Sequence, residues 1–136
     1  TKFRNLVLAS GTVKASVELK NLSELLKIYK KENDKGIRSE IDVIIFLLRQ
    51  NFKIAFWRAK TTVAEIDLIV VRSNKVYLLE VKTLHHDWFV FERIKNKQIL
   101  KLLRATFLFQ KKFSEHLFTP YVVWIDKSKR ITFVKI

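Results

Sequence analysis

The stretch Glu65-Ile66-Asp67-Leu68-Ile69-Val70-Val71, followed by Arg72-Ser73-Asn74-Lys75 and then Val76-Tyr77-Leu78-Leu79-Glu80-Val81-Lys82, decides the fold. Two β-branched, apolar runs flank a short polar break, which reads as a β-hairpin. With Ser73-Asn74 as a two-residue loop, Arg72 opposes Lys75, Asp67 opposes Glu80 and Glu65 opposes Lys82. Side chains two apart share a face. Asp67, Glu80, Lys82 and Glu65 therefore gather on one face at the end away from the turn, continued by Ile69, Val71, Val76 and Leu78. The other face carries Ile66, Leu68, Val70, Tyr77, Leu79 and Val81. Both faces are apolar, so the pair is expected at the centre of a sheet covered on both sides.

Opposed carboxylates in a buried sheet repel each other and lose hydration. A divalent cation compensates them, and Mg²⁺ needs only one or two carboxylates besides water and phosphate oxygens. An ammonium at Lys82 would then stabilise charge developing on phosphate or orient the attacking water. The same residues also read as an internal salt-bridge set, with Lys82 neutralising Glu65 and Glu80.

Outward from the hairpin, the periodicity predicts a helix over about 37–50, with Ile37, Ile41, Ile44, Ile45 and Leu48 on one face and Glu40 at its edge. A Glu near a helix start is also favoured simply by the dipole. Asp42 points away and reads as a surface charge. Residues 52–59 read as a strand, 92–112 as a helix, and 120–126 and 131–136 as strands around Lys127-Ser128-Lys129. Upstream, 21–32 reads as a helix capped by Asn21 or Ser23. Asn33-Asp34-Lys35-Gly36 breaks it, and 1–20 reads as a small hairpin or coil around Ser10-Gly11-Thr12. The expectation is a single α/β domain at 36–136, a central mixed sheet flanked by helices in the order αβββαββ, behind an N-terminal extension at 1–35.

The chain has 136 residues and is 49% apolar, enough for one compact core. It has no cysteine, which excludes a disulfide framework, thiolate metal sites and a Cys nucleophile. Two glycines and one proline argue against a Gly-rich phosphate loop. Apolar runs are short, so no membrane span is expected, and no basic-apolar leader follows Thr1. A cytoplasmic, intracellular protein is the expectation. With 27 Lys+Arg against 13 Asp+Glu the net charge is +14, and a polyanionic partner is the first inference. The charge is spread along the chain, so it belongs to a folded face and not to a tail.

Ile66-Asp67, then a gap of 12 residues, then Glu80-Val81-Lys82, resembles the Asp…Glu-x-Lys signature of the PD-(D/E)xK nuclease superfamily. Gly36-Ile37-Arg38-Ser39-Glu40, Arg58-Ala59, Ala64-Glu65-Ile66-Asp67-Leu68-Ile69 and Leu79-Glu80-Val81-Lys82-Thr83 are similar to the YraN-like bacterial family. More distantly they resemble archaeal Holliday junction resolvases. The likeness spans about residues 36–126. It implies a restriction-endonuclease-like core and a Mg²⁺-dependent nuclease (Mn²⁺ as substitute) acting on DNA, branched or structured DNA included. Asp67, Glu80 and the Val81 carbonyl would hold the metal, Glu40 would approach it directly or through water, and Lys82 would be the catalytic lysine. Junction-cleaving relatives work as dimers, so a homodimer is one expectation. Two positions depart from the family: Ala64 stands for the usual Gly, and Leu84 for the usual Arg. Thr83, His85, His86 or Arg93 is left to hold the nearby phosphate.

On the helix from 92, whose apolar face runs through Ile99, Leu102, Leu103, Thr106 and Phe109, Gln98 lies at the margin and is assigned to the site. Lys97 is assigned to a backbone phosphate. Arg38, Arg58, Lys60, Thr83, Arg93 and Lys95 complete the expected nucleic-acid contacts. His85 and His86 point opposite ways on an extended segment, and His116 is remote, so a histidine zinc site is not expected. Trp57 reads as core, while Trp88, beside Phe89 and Phe91, is a candidate for base stacking. A catalytically silent DNA-binding module and an RNA-processing nuclease are the competing readings.

Overall fold

A computed structural model describes residues 2–17, 21–84 and 96–136. The elements are α1 (Lys2–Ser10), β1 (Ala15–Val17), α2 (Leu22–Lys31), α3 (Lys35–Arg49), β2 (Lys53–Lys60), β3 (Glu65–Arg72), β4 (Lys75–Thr83), α4 (Asn96–Lys112), β5 (Leu117–Ile125) and β6 (Ile131–Lys135). From α3 onward the order is αβββαββ, as the pattern of periodicities requires. The sheet order is β1-β2-β3-β4-β5-β6, with β4 and β5 parallel and every other pair antiparallel.

The hairpin pairs Arg72 with Lys75, Val71 with Val76, Val70 with Tyr77, Ile69 with Leu78 and Leu68 with Leu79, the expected register. Ser73 takes a left-handed φ of 57°, which a two-residue hairpin loop requires. Both faces of the hairpin are covered. Ile69, Val71, Val76 and Leu78 pack with Phe3 and Val7 of α1 and with Leu102, Ala105 and Phe109 of α4. Leu68, Val70 and Leu79 pack with Leu25 of α2 and with Ile41, Ile44 and Leu47 of α3. The result is three layers, helices over each face of a mixed sheet.

Four expectations change. Residues 2–10 form a helix and not a hairpin: Phe3 and Val7, four apart, bury on one face, and Gly11 ends the helix at φ 73°. Gly36 lies inside the first turn of α3, because Asp34 is the N-cap and accepts from the Ile37 N–H at 3.0 Å. A Cβ at position 36 would meet that Asp34 oxygen at 3.1 Å, so glycine leaves the cap room. The buried residues of α3 are Ser39, Glu40, Ile41, Val43, Ile44 and Leu47, which puts Glu40 inside the face and not at its edge. The buried stripe of α4 is Leu102, Ala105, Thr106 and Phe109, with Leu103 exposed. Among the described residues no helix is long and apolar enough to cross a membrane.

Candidate active site

The β3–β4 ladder runs only as far as Leu68 and Leu79. In continued register Val81 would pair with the backbone of Ile66. Instead the Val81 N–H donates to Asp67 Oδ2 at 2.8 Å. The Asp67 carboxylate thus occupies the gap that opens between the strands, and β4 stays in the sheet through its parallel pairing with β5, Glu80 beside Val122 and Lys82 beside Trp124. In a strand a residue's N–H and C=O point to the same neighbour, so the Val81 carbonyl faces this gap too.

Two side chains leave their expected places where the strands part. Glu65 does not oppose Lys82: it pairs with Lys60 across β2, 3.9 Å apart. Ile66 does not follow Leu68 but packs on the α4 side with Phe56 and Ala59. The cause lies in β2, where Arg58 takes a left-handed φ of 57° between the pairs Trp57–Leu68 and Ala59–Ile66. Alternation breaks there, so Trp57 and Ala59 bury in opposite layers. Arg58 is thereby set beside Asp67, and its cationic head lowers the Asp67 pKa.

Asp67 and Glu80 line a cavity of about 490 Å³ with Thr61, Gln98, Lys101 and Leu102. Gln98, assigned to the site from its place at the margin of the helix, lines this cavity from the first turn of α4. Lys101 was missed; it lies three residues on, the spacing that stacks two side chains on one helix face. Lys97 is exposed and outside this lining. Lys82 Nζ is 3.5 Å from Glu80 Oε1. Glu40 lies deeper. It is 7% exposed, accepts the Trp57 indole N–H at 2.8 Å, and has Arg58 Nε 3.6 Å from the same oxygen. Trp57 is core, as expected, and is also the residue that anchors Glu40. Asp42 is not a free surface charge: it pairs with Lys129 at 3.0 Å. Thr83 Oγ1 lies 2.7 Å from Ser39 Oγ. His85, His86, Trp88, Phe89, Phe91, Arg93 and Lys95 fall outside the described residues.

The site is electrostatically tense. Burial pushes the Glu80 carboxyl up to about 7, the neighbouring Asp67 charge adds to this, and Lys82 opposes it. Burial also raises Asp67, against the Val81 N–H, Lys82 and Arg58. Glu40 rises to about 7 through burial, with the Trp57 hydrogen bond pulling the other way. The two carboxyls act on one another, the Asp67 charge making a second charge at Glu80 costly. The donors fit a hard ion: two carboxylates and a carbonyl, with no sulfur or imidazole among them. Among the described residues no three His, Asp or Glu side chains are placed to hold one metal together. Glu40 is thus a neighbour of the pair and not a third ligand in this arrangement.

A mixed sheet whose central hairpin opens around an Asp, a Glu and a Lys, with α4 closing the gap, is the arrangement the PD-(D/E)xK signature calls for. The chain belongs to the nuclease-related domain (NERD) family, whose pattern it matches over residues 35–125. It is also similar to UPF0102 proteins, the YraN-like group, of Campylobacter jejuni subsp. jejuni. Those of serotypes O:2 and O:6 are each 31% identical over 70 residues, 52% of this chain. The match spans 62% of the length of these relatives.

Proposed function

We propose that this domain is a divalent-metal-dependent endonuclease that hydrolyses DNA phosphodiester bonds, those of branched or structured DNA included. The observation that carries the reading is the opening of the β3–β4 ladder, which sets Asp67 against Glu80 with Lys82 beside them. Membership of a nuclease-related family and the net charge of +14 support it.

Asp67, Glu80 and the Val81 carbonyl would hold Mg²⁺, or Mn²⁺ in its place, which when bound supplies Lewis-acid polarisation of phosphate and a more acidic water. The Lys82 ammonium then faces the phosphate and offsets charge developing in the transition state. Gln98, at the mouth of the cavity, donates to and orients a water or a phosphate oxygen. Arg58 opposes the upward shift of Asp67 and pairs with Glu40. Lys101, from α4, adds a cation on the side of the incoming strand.

The test is cleavage of linear, nicked, flapped and four-way DNA by the purified protein with Mg²⁺ or Mn²⁺. Asp67→Ala and Lys82→Ala should each lower the rate at least about 100-fold, the size of a lost transition-state contact, with DNA affinity kept within about threefold. If wild-type protein cuts none of these DNAs, the nuclease reading fails. Metal-independent DNA binding unchanged by Asp67→Asn would then favour a binding module, a reading supported by the way Trp57 and Arg58 engage Glu40. Cleavage of RNA alone would make it an RNA-processing enzyme.

A further inference from the structure

A second recess lies where the start of α3 meets the ends of β4 and β5. It encloses about 210 Å³ and is lined by Lys35, Arg38, Ser39, Thr83, Lys127 and Lys129, and also by Asp126. None of its cations faces Asp67 or Glu80 across the cavity described above.

The acids near this recess are already engaged. Asp126 accepts from the Arg130 N–H at 2.9 Å and from Arg130 Nε at 2.8 Å, and Asp42 is bonded to Lys129. Lys35, Arg38 and Lys127 form no ion pair among the described residues. Arg38 stacks its guanidinium 4.5 Å from the centre of the Tyr29 ring. Its Nε is buried and has no hydrogen-bond partner among the described residues. The terminal N–H groups of the same guanidinium have no hydrogen-bond partner among the described residues, and they are the ones an anion seated in the recess would meet. Ser39 and Thr83 share one hydrogen between their oxygens, 2.7 Å apart, so the other hydroxyl still has a hydrogen to donate. Guanidinium, ammonium and hydroxyl donors converging on one small space suit a tetrahedral oxyanion.

The recess and the acidic site meet at the end of β4. Thr83 follows Lys82 there, and since consecutive side chains of a strand leave opposite faces, the recess lies on the α3 side and the acid-lined cavity on the α4 side. We propose that this recess is a phosphate-binding site, seating a backbone phosphate of a nucleic-acid strand that passes the end of β4 to reach Asp67, Glu80 and Lys82. The inference rests on the nucleic-acid reading and adds to it a position along the strand.

Two probes test it. Inorganic phosphate is titrated into the full chain and followed by backbone amide NMR. Shifts should centre on residues 35–39, 83–84 and 127–129, and the double variant Arg38→Gln/Lys127→Gln should bind phosphate at least about tenfold more weakly, the usual loss for charged hydrogen bonds. Unchanged affinity in the variant, or shifts centred elsewhere, would overturn the site. Next, a single neutral methylphosphonate is walked along an oligonucleotide bound in EDTA. Wild type should lose affinity about tenfold at one position near the cut, and the double variant should be indifferent at that position only. If inorganic phosphate binds here but no strand position is coupled to these residues, the recess serves a free phosphate and the strand proposal is wrong. Should the double variant fold poorly, Thr83→Val replaces it, with a loss of about threefold expected from one hydroxyl. Cleavage of unmodified DNA with Mg²⁺ separates the two ideas. Cleavage without coupling sinks the recess alone, and coupling without cleavage sinks the nuclease reading alone.

Discussion

Glu80 has the carboxylate of Asp67 on one side and the ammonium of Lys82 on the other, 3.5 Å away. Burial and Asp67 together outweigh Lys82, so its carboxyl rises from the ordinary 4.5 to about 7. The folded state therefore holds a proton, between about pH 4.5 and 7, that the unfolded chain has released. More protons bound in the native state means that stability falls as pH rises through this window. The cost is on the order of 1–3 kcal/mol by pH 8 after allowing for partial exposure. Glu40, raised to about 7 in the same direction, adds to the trend. Metal-free protein should accordingly melt lower at pH 8 than at pH 5.5, and Glu80→Gln should shrink the difference and raise Tm at pH 8. Mg²⁺ should raise Tm at pH 8 in wild type and not in Glu80→Gln. Thermal melts at the two pH values, with and without Mg²⁺, check this; a wild type most stable at pH 8 without metal would contradict it.

At the scale of elements, the site exists because β3 loses one of its two partners. It pairs with β4 from the turn to Leu68, and then runs on with β2 alone to Glu65. Arg58 is the hinge of that change. A left-handed φ of 57° costs an L-residue with a Cβ about 1–2 kcal/mol, and glycine nearly nothing. Arg58→Gly and Arg58→Ala both remove the cation beside Glu40 and Asp67, so their difference isolates the backbone. Arg58→Gly should be more stable than Arg58→Ala by about 1 kcal/mol in urea unfolding, and both should be impaired in cleavage. Equal stability of the two would show that no strain is stored at this position. The same element explains what was legible in the sequence. Loop length and the alternation of Ile69, Val71, Val76 and Leu78 fix the hairpin register, so Asp67 and Glu80 could be brought together from spacing alone. Glu65 and Ile66 were misplaced because alternation assumes an unbroken ladder, and nothing local to β3 announces that its partner leaves. Gln98 was readable from its place at the margin of an amphipathic helix. The Trp57–Glu40 bond, the Ser39–Thr83 pair and the Arg38 recess join residues 17 or more apart, and only the packed layers bring them together. The helix at 2–10 had a signal, Phe3 and Val7 four residues apart, but that window is too short to outweigh the turn residues beside it.

At the scale of the whole molecule, the net charge of +14 is set against three raised acids in one region, Glu40, Asp67 and Glu80. An acidic spot on a basic body repels the phosphate it must process unless cations nearby carry the strand in. Lys101 stands on one side of the spot, and Lys35, Arg38 and Lys127 stand on the other, beyond the end of β4. Each phosphate neutralised releases counterions and steepens the dependence of affinity on salt by about 0.9 in a log–log plot. Binding of a short duplex in EDTA should therefore fall steeply between 50 and 200 mM salt, with a slope of magnitude about 3 or more if these cations and their neighbours engage the backbone. Arg38→Gln/Lys127→Gln should lower that slope by about 1–2 and weaken all sequences alike, since phosphate contacts carry no sequence information. Asp67→Asn should leave the slope unchanged and tighten metal-free binding, because it removes a negative charge from the path of the strand without touching a cation. A slope near zero in wild type would mean that the excess charge is not used on nucleic acid at all. An unchanged slope in the double variant would place the contact face elsewhere on the domain.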